Sequence, residues 1–263
     1  MRNTEKKEKA VIALCGKGGV GKTTVSASIV RLLLRDPGAR VLAIDADPAV
    51  GLASALGIEV KITVDDIRND FIELVKNRGA GDKQQVVSLL DYRMTGALHE
   101  NGNLVFMSIG RPETEGCYCQ VNDILKDIIA SIAGNFDYVV IDAEAGVEQI
   151  NRRVFEKVTH LILVSDLSAK GIKVAGTIHG VAAEAVKYER AGLIINRVAD
   201  PAEMERVSLP ERPPFLGYIP EDTIIRNADI AGDNILLLSG SPVFEAVEKA
   251  LEGIGIEGVQ RSD

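Results

Sequence analysis

The stretch "AVIALCGKGGVGKTTV", residues 10–25, decides the fold. A short apolar run, 10–14, gives way to a glycine-rich turn, and a helical pattern opens directly behind it. Gly16, Gly21, Lys22 and Thr23 satisfy the G-x-x-x-x-G-K-[ST] spacing of a phosphate loop, in the strand–loop–helix setting that gives this spacing its meaning. Gly16, Gly18, Gly19 and Gly21 let the backbone curl around a phosphate. The N–H groups of the loop, Val20 included, and of the helix start at Lys22, Thr23 and Thr24 then donate to it. Lys22 reads as the cation bridging β- and γ-phosphates, and Thr23 as a ligand of Mg²⁺. The expected cofactors are therefore ATP and Mg²⁺.

The alternation begun at residue 10 continues along the chain. Apolar, β-rich runs stand at 40–44, 103–108, 138–142, 160–165, 192–196 and 215–219, and helical patterns at 22–35, 120–133, 147–157, 171–190, 221–231 and 243–252. Strands that are apolar almost throughout are those covered on both faces. The expectation is an α/β fold: a doubly wound, mostly parallel sheet with helices on both faces. No internal repeat or compositional break divides residues 1–263, so one P-loop ATPase domain is expected. Residues 1–9 read as disordered and 254–263 as frayed. The stretch 199–214 reads as a loop with one helical turn.

Composition narrows the function. Of the 263 residues 46% are hydrophobic and 4% aromatic, which predicts an aliphatic core. The net charge is −8, with no basic block beyond the mixed-charge start, so neither a nucleic acid nor a membrane partner is expected. The tail 241–263 carries two basic and five acidic residues, unlike a basic membrane-binding helix. Three cysteines form no disulfide framework, and the polar start does not read as a signal peptide. The expected location is the cytoplasm, where thiols stay reduced.

Two further strand ends bear acids. "AIDADPAVGL", 43–52, sets Asp45 and Asp47 at the carboxyl end of the second strand, beside the phosphate loop. Asp45 assists magnesium, directly or through a hydrogen bond to a group that holds the metal, or else caps the helix that follows. "VVIDAEAG", 139–146, reads as a strand whose Asp142 holds Mg²⁺, with Gly146 free to follow the γ-phosphate and Glu144 facing the switch or a partner.

Lys17 places a second lysine in the loop, "KGGVGKT", and here the chain resembles the MinD/ParA/nitrogenase-iron-protein group of dimeric ATPases. The resemblance implies ATP-driven homodimerisation, with Lys17 reaching the partner's nucleotide. It also implies that Asp47 orients the attacking water. Asn196, in "IINR", reads adenine by the same resemblance, with Pro220 and the segment 218–229 beside the base.

"ETEGCYCQVN", 113–122, holds Cys117 and Cys119, two thiols one residue apart before a helix. Two ligands per chain fall short of a closed tetrahedral site, and a two-fold axis would double them to four. Taken with the phosphate loop and "DAEAGVEQINRRV", this spacing resembles the CooC-type ATPases, which mature nickel enzymes such as carbon monoxide dehydrogenase. The resemblance spans residues 10 to about 252. It implies a dimeric metallochaperone with Ni²⁺ or Zn²⁺ at Cys117 and Cys119, or a [4Fe–4S] cluster there, and a nickel enzyme as client. A MinD- or ParA-like positioning ATPase and an electron donor like the nitrogenase iron protein are the alternatives. Cys15 reads as a small buried residue, and His99, His160 and His179 as scattered. Glu184 and Lys187 are candidate client contacts.

Overall fold

The computed structural model of the protein describes residues 9–78, 83–111, 119–143 and 157–256. Its centre is an eight-stranded sheet. In chain order the strands are β1 (Ala10–Cys15), β2 (Val41–Ala46), β3 (His99–Asn101), β4 (Leu104–Ser108), β5 (Tyr138–Ala143), β6 (His160–Ser165), β7 (Arg190–Val198) and β8 (Phe215–Pro220). They lie side by side as β3-β4-β2-β5-β1-β6-β7-β8. All pairs are parallel except β3 with β4, so the expected fold class holds, with one short antiparallel edge.

Helices cover both faces. Side chains alternate along a strand, and β1 shows the result: Ile12 and Leu14 point to one layer, Val11, Ala13 and Cys15 to the other. The first layer packs on α1 (Lys22–Leu33), α2 (Gly51–Ala55) and α8 (Pro242–Ile254). The second packs on α3 (Val64–Arg78), α4 (Lys83–Thr95), α5 (Cys119–Ala133) and α6 (Ala169–Ala185). A further helix, α7 (Thr223–Ala231), follows β8. β1, β2, β4, β5 and β6 are buried at every position, which explains their unbroken apolar runs. Each large aliphatic buried there contributes about 1.5–3 kcal/mol.

Local signals set the helix ends. Ser168 caps α6 by accepting from Gly171 N–H, Asp222 caps α7, and Ser241 caps α8 with Pro242 in its first turn. Gly232 and Gly255, both left-handed, close α7 and α8. The 3₁₀ turn at Pro201–Arg206, capped by Asp200, fits the single turn expected in 199–214.

Some expectations need adjustment. The helix read as 171–190 stops at Ala185: Val186 is extended, and Lys187 pairs with Lys157 before β7 begins at Arg190. Ile254 and Ile256, read as the start of a frayed end, are buried against the first layer. No elements were expected between residues 53 and 102, yet α3, α4 and β3 lie there. The signal for α3 was present: Thr63 and Asp66 exchange hydrogen bonds as a capping pair, and Val64, Ile67, Phe71 and Ile72 recur at helical spacing and are buried. The helix expected at 147–157 lies, but for Lys157, outside the described residues.

Candidate functional site

The carboxyl ends of β1, β2, β5, β6, β7 and β8 surround one region, the place where a doubly wound sheet binds ligands. β1 ends between β5 and β6 and runs into the loop 16–21. Gly21, left-handed with φ 87°, turns the chain into α1. Lys22 is 7% exposed and its Nζ donates to the Lys17 carbonyl at 3.3 Å, so the side chain folds back across the loop. A cation held there by carbonyl oxygen rather than by a carboxylate remains available to an incoming phosphate.

Thr23 and Asp142 are brought together: Thr23 Oγ1 donates to Asp142 Oδ2 at 2.7 Å. Ser26, which the sequence reading did not single out, donates to the other oxygen, Oδ1, at 3.0 Å. It sits three residues along α1 from Thr23, hence on the same helix face. Asp45 lies beside Asp142 in the β2–β5 register and is fully buried. Its Oδ1 accepts from Asp47 N–H at 3.1 Å and its Oδ2 from Leu52 and Ala53 N–H at 2.8 and 3.3 Å. Asp45 thus caps α2, one of the alternatives its position allowed. Asp47 is half-buried, with Oδ1 accepting from Ala49 N–H at 2.9 Å.

Lys17 is more than a third exposed, and its Nζ stands 3.9 Å from Asp166 just beyond β6. Asn196 is buried and donates through Nδ2 to the Val20 carbonyl at 2.8 Å, while Pro220 is half-buried and pairs with Val198. The nucleotide residues expected from the sequence therefore converge at one end of the sheet.

The expected metal pair lies only partly within the described residues. Cys117, Glu144 and Gly146 lie outside the described residues, and Cys119 is the first residue of α5. Among the described residues no three His, Cys, Asp or Glu side chains gather to hold a metal ion. Cys15 is fully buried, and burial pushes its thiol up to about 12, which fits a core residue. His99 is on the exposed edge strand, His160 packs on Thr159, and His179 on Tyr188.

Comparisons with known proteins give the family and the fold. A family model described as the CobQ/CobB/MinD/ParA nucleotide-binding domain matches residues 11–235. The chain belongs to that family. It is an ATP hydrolase of the MinD/ParA type. An uncharacterized ATP-binding protein of Methanocaldococcus jannaschii is 32% identical over 93% of this chain and 98% of its own. The carbon monoxide dehydrogenase accessory protein CooC of Rhodospirillum rubrum is 30% identical over 84% of this chain and 87% of its own. In fold, MinD of Aquifex aeolicus superposes with a TM-score of 0.66 at 21% identity, covering 97% of this chain and 100% of that one. MinD of Pyrococcus horikoshii, solved with Mg-ADP, gives 0.62 at 21% identity, covering 97% and 100%. Among the described residues no helix is long and apolar enough to cross a membrane.

The ATPase's paired carboxyls set a pH dependence. Burial, then the charge of Asp142, pushes Asp45 up to about 7; burial likewise pushes Asp142 up to about 6, against the pull of Thr23, Ser26 and Lys22. Both folded values exceed the ordinary carboxylate value, so over the interval from about pH 4 to pH 7 the folded chain binds more protons than the unfolded one. Stability from this pair is present at the acidic end and lost as pH rises through about 6 and 7. In EDTA and without nucleotide, Asp142→Asn is therefore expected to melt roughly 5 °C above wild type at pH 8. That gap should shrink toward pH 5. A thermal-denaturation series against pH checks this, and a gap independent of pH contradicts it.

Proposed function

We propose that this ATPase is a dimeric metallochaperone that couples ATP binding and hydrolysis to delivery of nickel to a client enzyme of the carbon monoxide dehydrogenase kind. One observation carries the reading: a Cys-x-Cys pair, Cys117 and Cys119, in a chain 30% identical to CooC across most of its length. Two thiols per chain make a tetrahedral thiolate site when two chains meet, which suits Ni²⁺ or Zn²⁺ as cargo. Such a site binds weakly in one chain and tightly in two, so metal and nucleotide promote the same dimer.

In this reading the loop 16–21 with Thr24 holds the phosphates, Lys22 neutralises them, and Thr23 with Asp142 holds Mg²⁺. Asp45 keeps the strand end rigid beside that metal, and Asp47 orients the attacking water. Lys17 leaves Asp166 to reach the partner chain's nucleotide. Asn196, anchored through Nδ2, keeps its amide oxygen for adenine, with Pro220 alongside the base. Reduced thiols make the cytoplasm the working compartment. The acidic surface favours a protein client over nucleic acid or membrane.

The test is metal content of protein purified without oxygen, measured with and without a non-hydrolysable ATP analogue. About half a nickel or zinc ion per chain, a ratio set by one shared tetrahedral site, is expected. It should tighten with nucleotide and disappear in Cys117→Ala and Cys119→Ala. About two iron and two sulfide per chain would instead indicate a bridging [4Fe–4S] cluster and electron transfer. No bound metal under either condition would overturn the proposal.

A further inference from the structure

Where β7 ends, its pairing with β8 slips between Ile195 and Val198, and Arg197 takes a left-handed conformation with φ 60°. A non-glycine residue adopts that conformation at a cost, and it persists where its surroundings hold it. In a regular strand the side chains at 196 and 197 would point to opposite faces. Here the irregularity re-aims them, as bulges beside active sites do, and both reach the phosphate loop. Asn196 Nδ2 donates to the carbonyl of Val20 at 2.8 Å, and Arg197 Nη1 donates to the carbonyl of Gly19 at 3.1 Å. Two adjacent residues of β7 thus hold two adjacent carbonyls of the loop. The guanidinium also lies along Gly21: a Cβ built there would stand 3.5 and 3.6 Å from Arg197 Nε and Nη2, and 2.4 Å from Asn196 Nδ2.

Peptide planarity converts this grip into a statement about phosphate binding. The Gly19 carbonyl shares its plane with the Val20 N–H, and the Val20 carbonyl with the Gly21 N–H. In a trans peptide the two dipole ends point in opposite directions. Holding both carbonyls toward β7 therefore turns both N–H groups away from it. No described residue accepts a hydrogen bond from either N–H. A cation on the carbonyl side also polarises the peptide unit and makes its N–H a better donor. The N–H groups of such a loop cradle the α- and β-phosphates.

We infer that Arg197 is a positioning residue for the nucleotide: with Asn196 it pins the Gly19 and Val20 carbonyls from behind, orienting and polarising the Val20 and Gly21 N–H groups for phosphate. The inference rests on the nucleotide site assigned above. In this inference Arg197 acts on the nucleotide through the Gly19 carbonyl of the loop. Its contribution is the same in ground and transition states and falls on KM rather than kcat.

The experiment compares Arg197→Ala, Arg197→Gly and Arg197→Lys with wild type in the full chain. It reads the Kd of Mg-ADP by calorimetry, KM and kcat for ATP, and melting without nucleotide. Arg197→Ala is expected to raise the Kd of Mg-ADP and the KM for ATP about tenfold each, the loss of one charge-assisted hydrogen bond. Its kcat should stay within about twofold, since uniform binding is what is lost. Arg197→Gly removes the backbone strain along with the guanidinium, and an equal loss of affinity assigns the effect to the guanidinium. Arg197→Lys should recover part of it, because an ammonium keeps the charge but not the planar fork. Unchanged affinity in Ala and Gly variants would overturn the inference. So would a fall in kcat at constant Kd, or an apo melting temperature that drops in step with affinity. If wild type itself bound no Mg-ADP, the nucleotide site would be the reading that fails.

Discussion

In Lys22→Ala, ATP turnover is expected to fall by about three orders of magnitude, the loss found when a preorganised charge is removed from a phosphoryl-transfer or oxyanion site. The apo melting temperature is expected to change little. Lys22 is almost fully buried, and among the described residues its one side-chain hydrogen bond is a 3.3 Å contact to the Lys17 carbonyl. A cation held that loosely contributes little to the fold, because desolvation offsets most of what it gains. Its ionic neighbour is Asp142, whose carboxyl the Lys22 charge holds down. The variant should therefore ionise Asp142 less readily. Phosphate release by the purified variant, alongside its melting curve, separates the two quantities. A melting temperature lowered by many degrees would recast Lys22 as a structural residue. Turnover within tenfold of wild type would mean that another group carries the phosphate charge.

The contrast between loop and carboxylates shows what the sequence could convey. The phosphate loop was legible because glycine, lysine and threonine at fixed offsets are a local requirement of phosphate binding. The parallel sheet was legible because strands buried on both faces, such as 138–142 and 160–165, are apolar at every position. Asp45 was legible as a site residue but not in its role. Whether a carboxylate at a strand end faces a metal or the N–H groups of Leu52 and Ala53 depends on how closely α2 packs against β2, a tertiary property. Ser26 and Arg197 were invisible for related reasons. Ser26 matters because α1 lies against β5, and Arg197 because of a slip between β7 and β8 that no residue pattern announces. The capping pair and apolar spacing of α3 are masked by seven charged residues among its fifteen positions.

Gly16→Ala is expected to lower the melting temperature by roughly 6–9 °C, corresponding to about 3 kcal/mol, and to remove nucleotide binding at working temperature. A Cβ at this position would stand 2.1 Å from the carbonyl oxygen of Val164 and 3.1 Å from its carbonyl carbon. Backbone of a central strand cannot step aside. β6 is tied to β1 through the pairs Leu14–Ile162 and Cys15–Leu163 and to β7 on its other side, and Leu163 and Val164 are fully buried. The clash must be relieved by parting β1 from β6 at the end where the phosphate loop begins, which displaces the loop and everything it positions. Gly18→Ala is the matched comparison: nothing lies within 4 Å of its Cβ, and its backbone is not left-handed. That variant should melt within about 1 °C of wild type, as surface substitutions away from special features do. Equal melting of the two variants would show that the β1–β6 approach is not what requires glycine at 16. The difference expected here reflects geometry: the first glycine of the loop is fixed by the spacing of the strands, whereas the third position of the loop answers only to what the loop must hold.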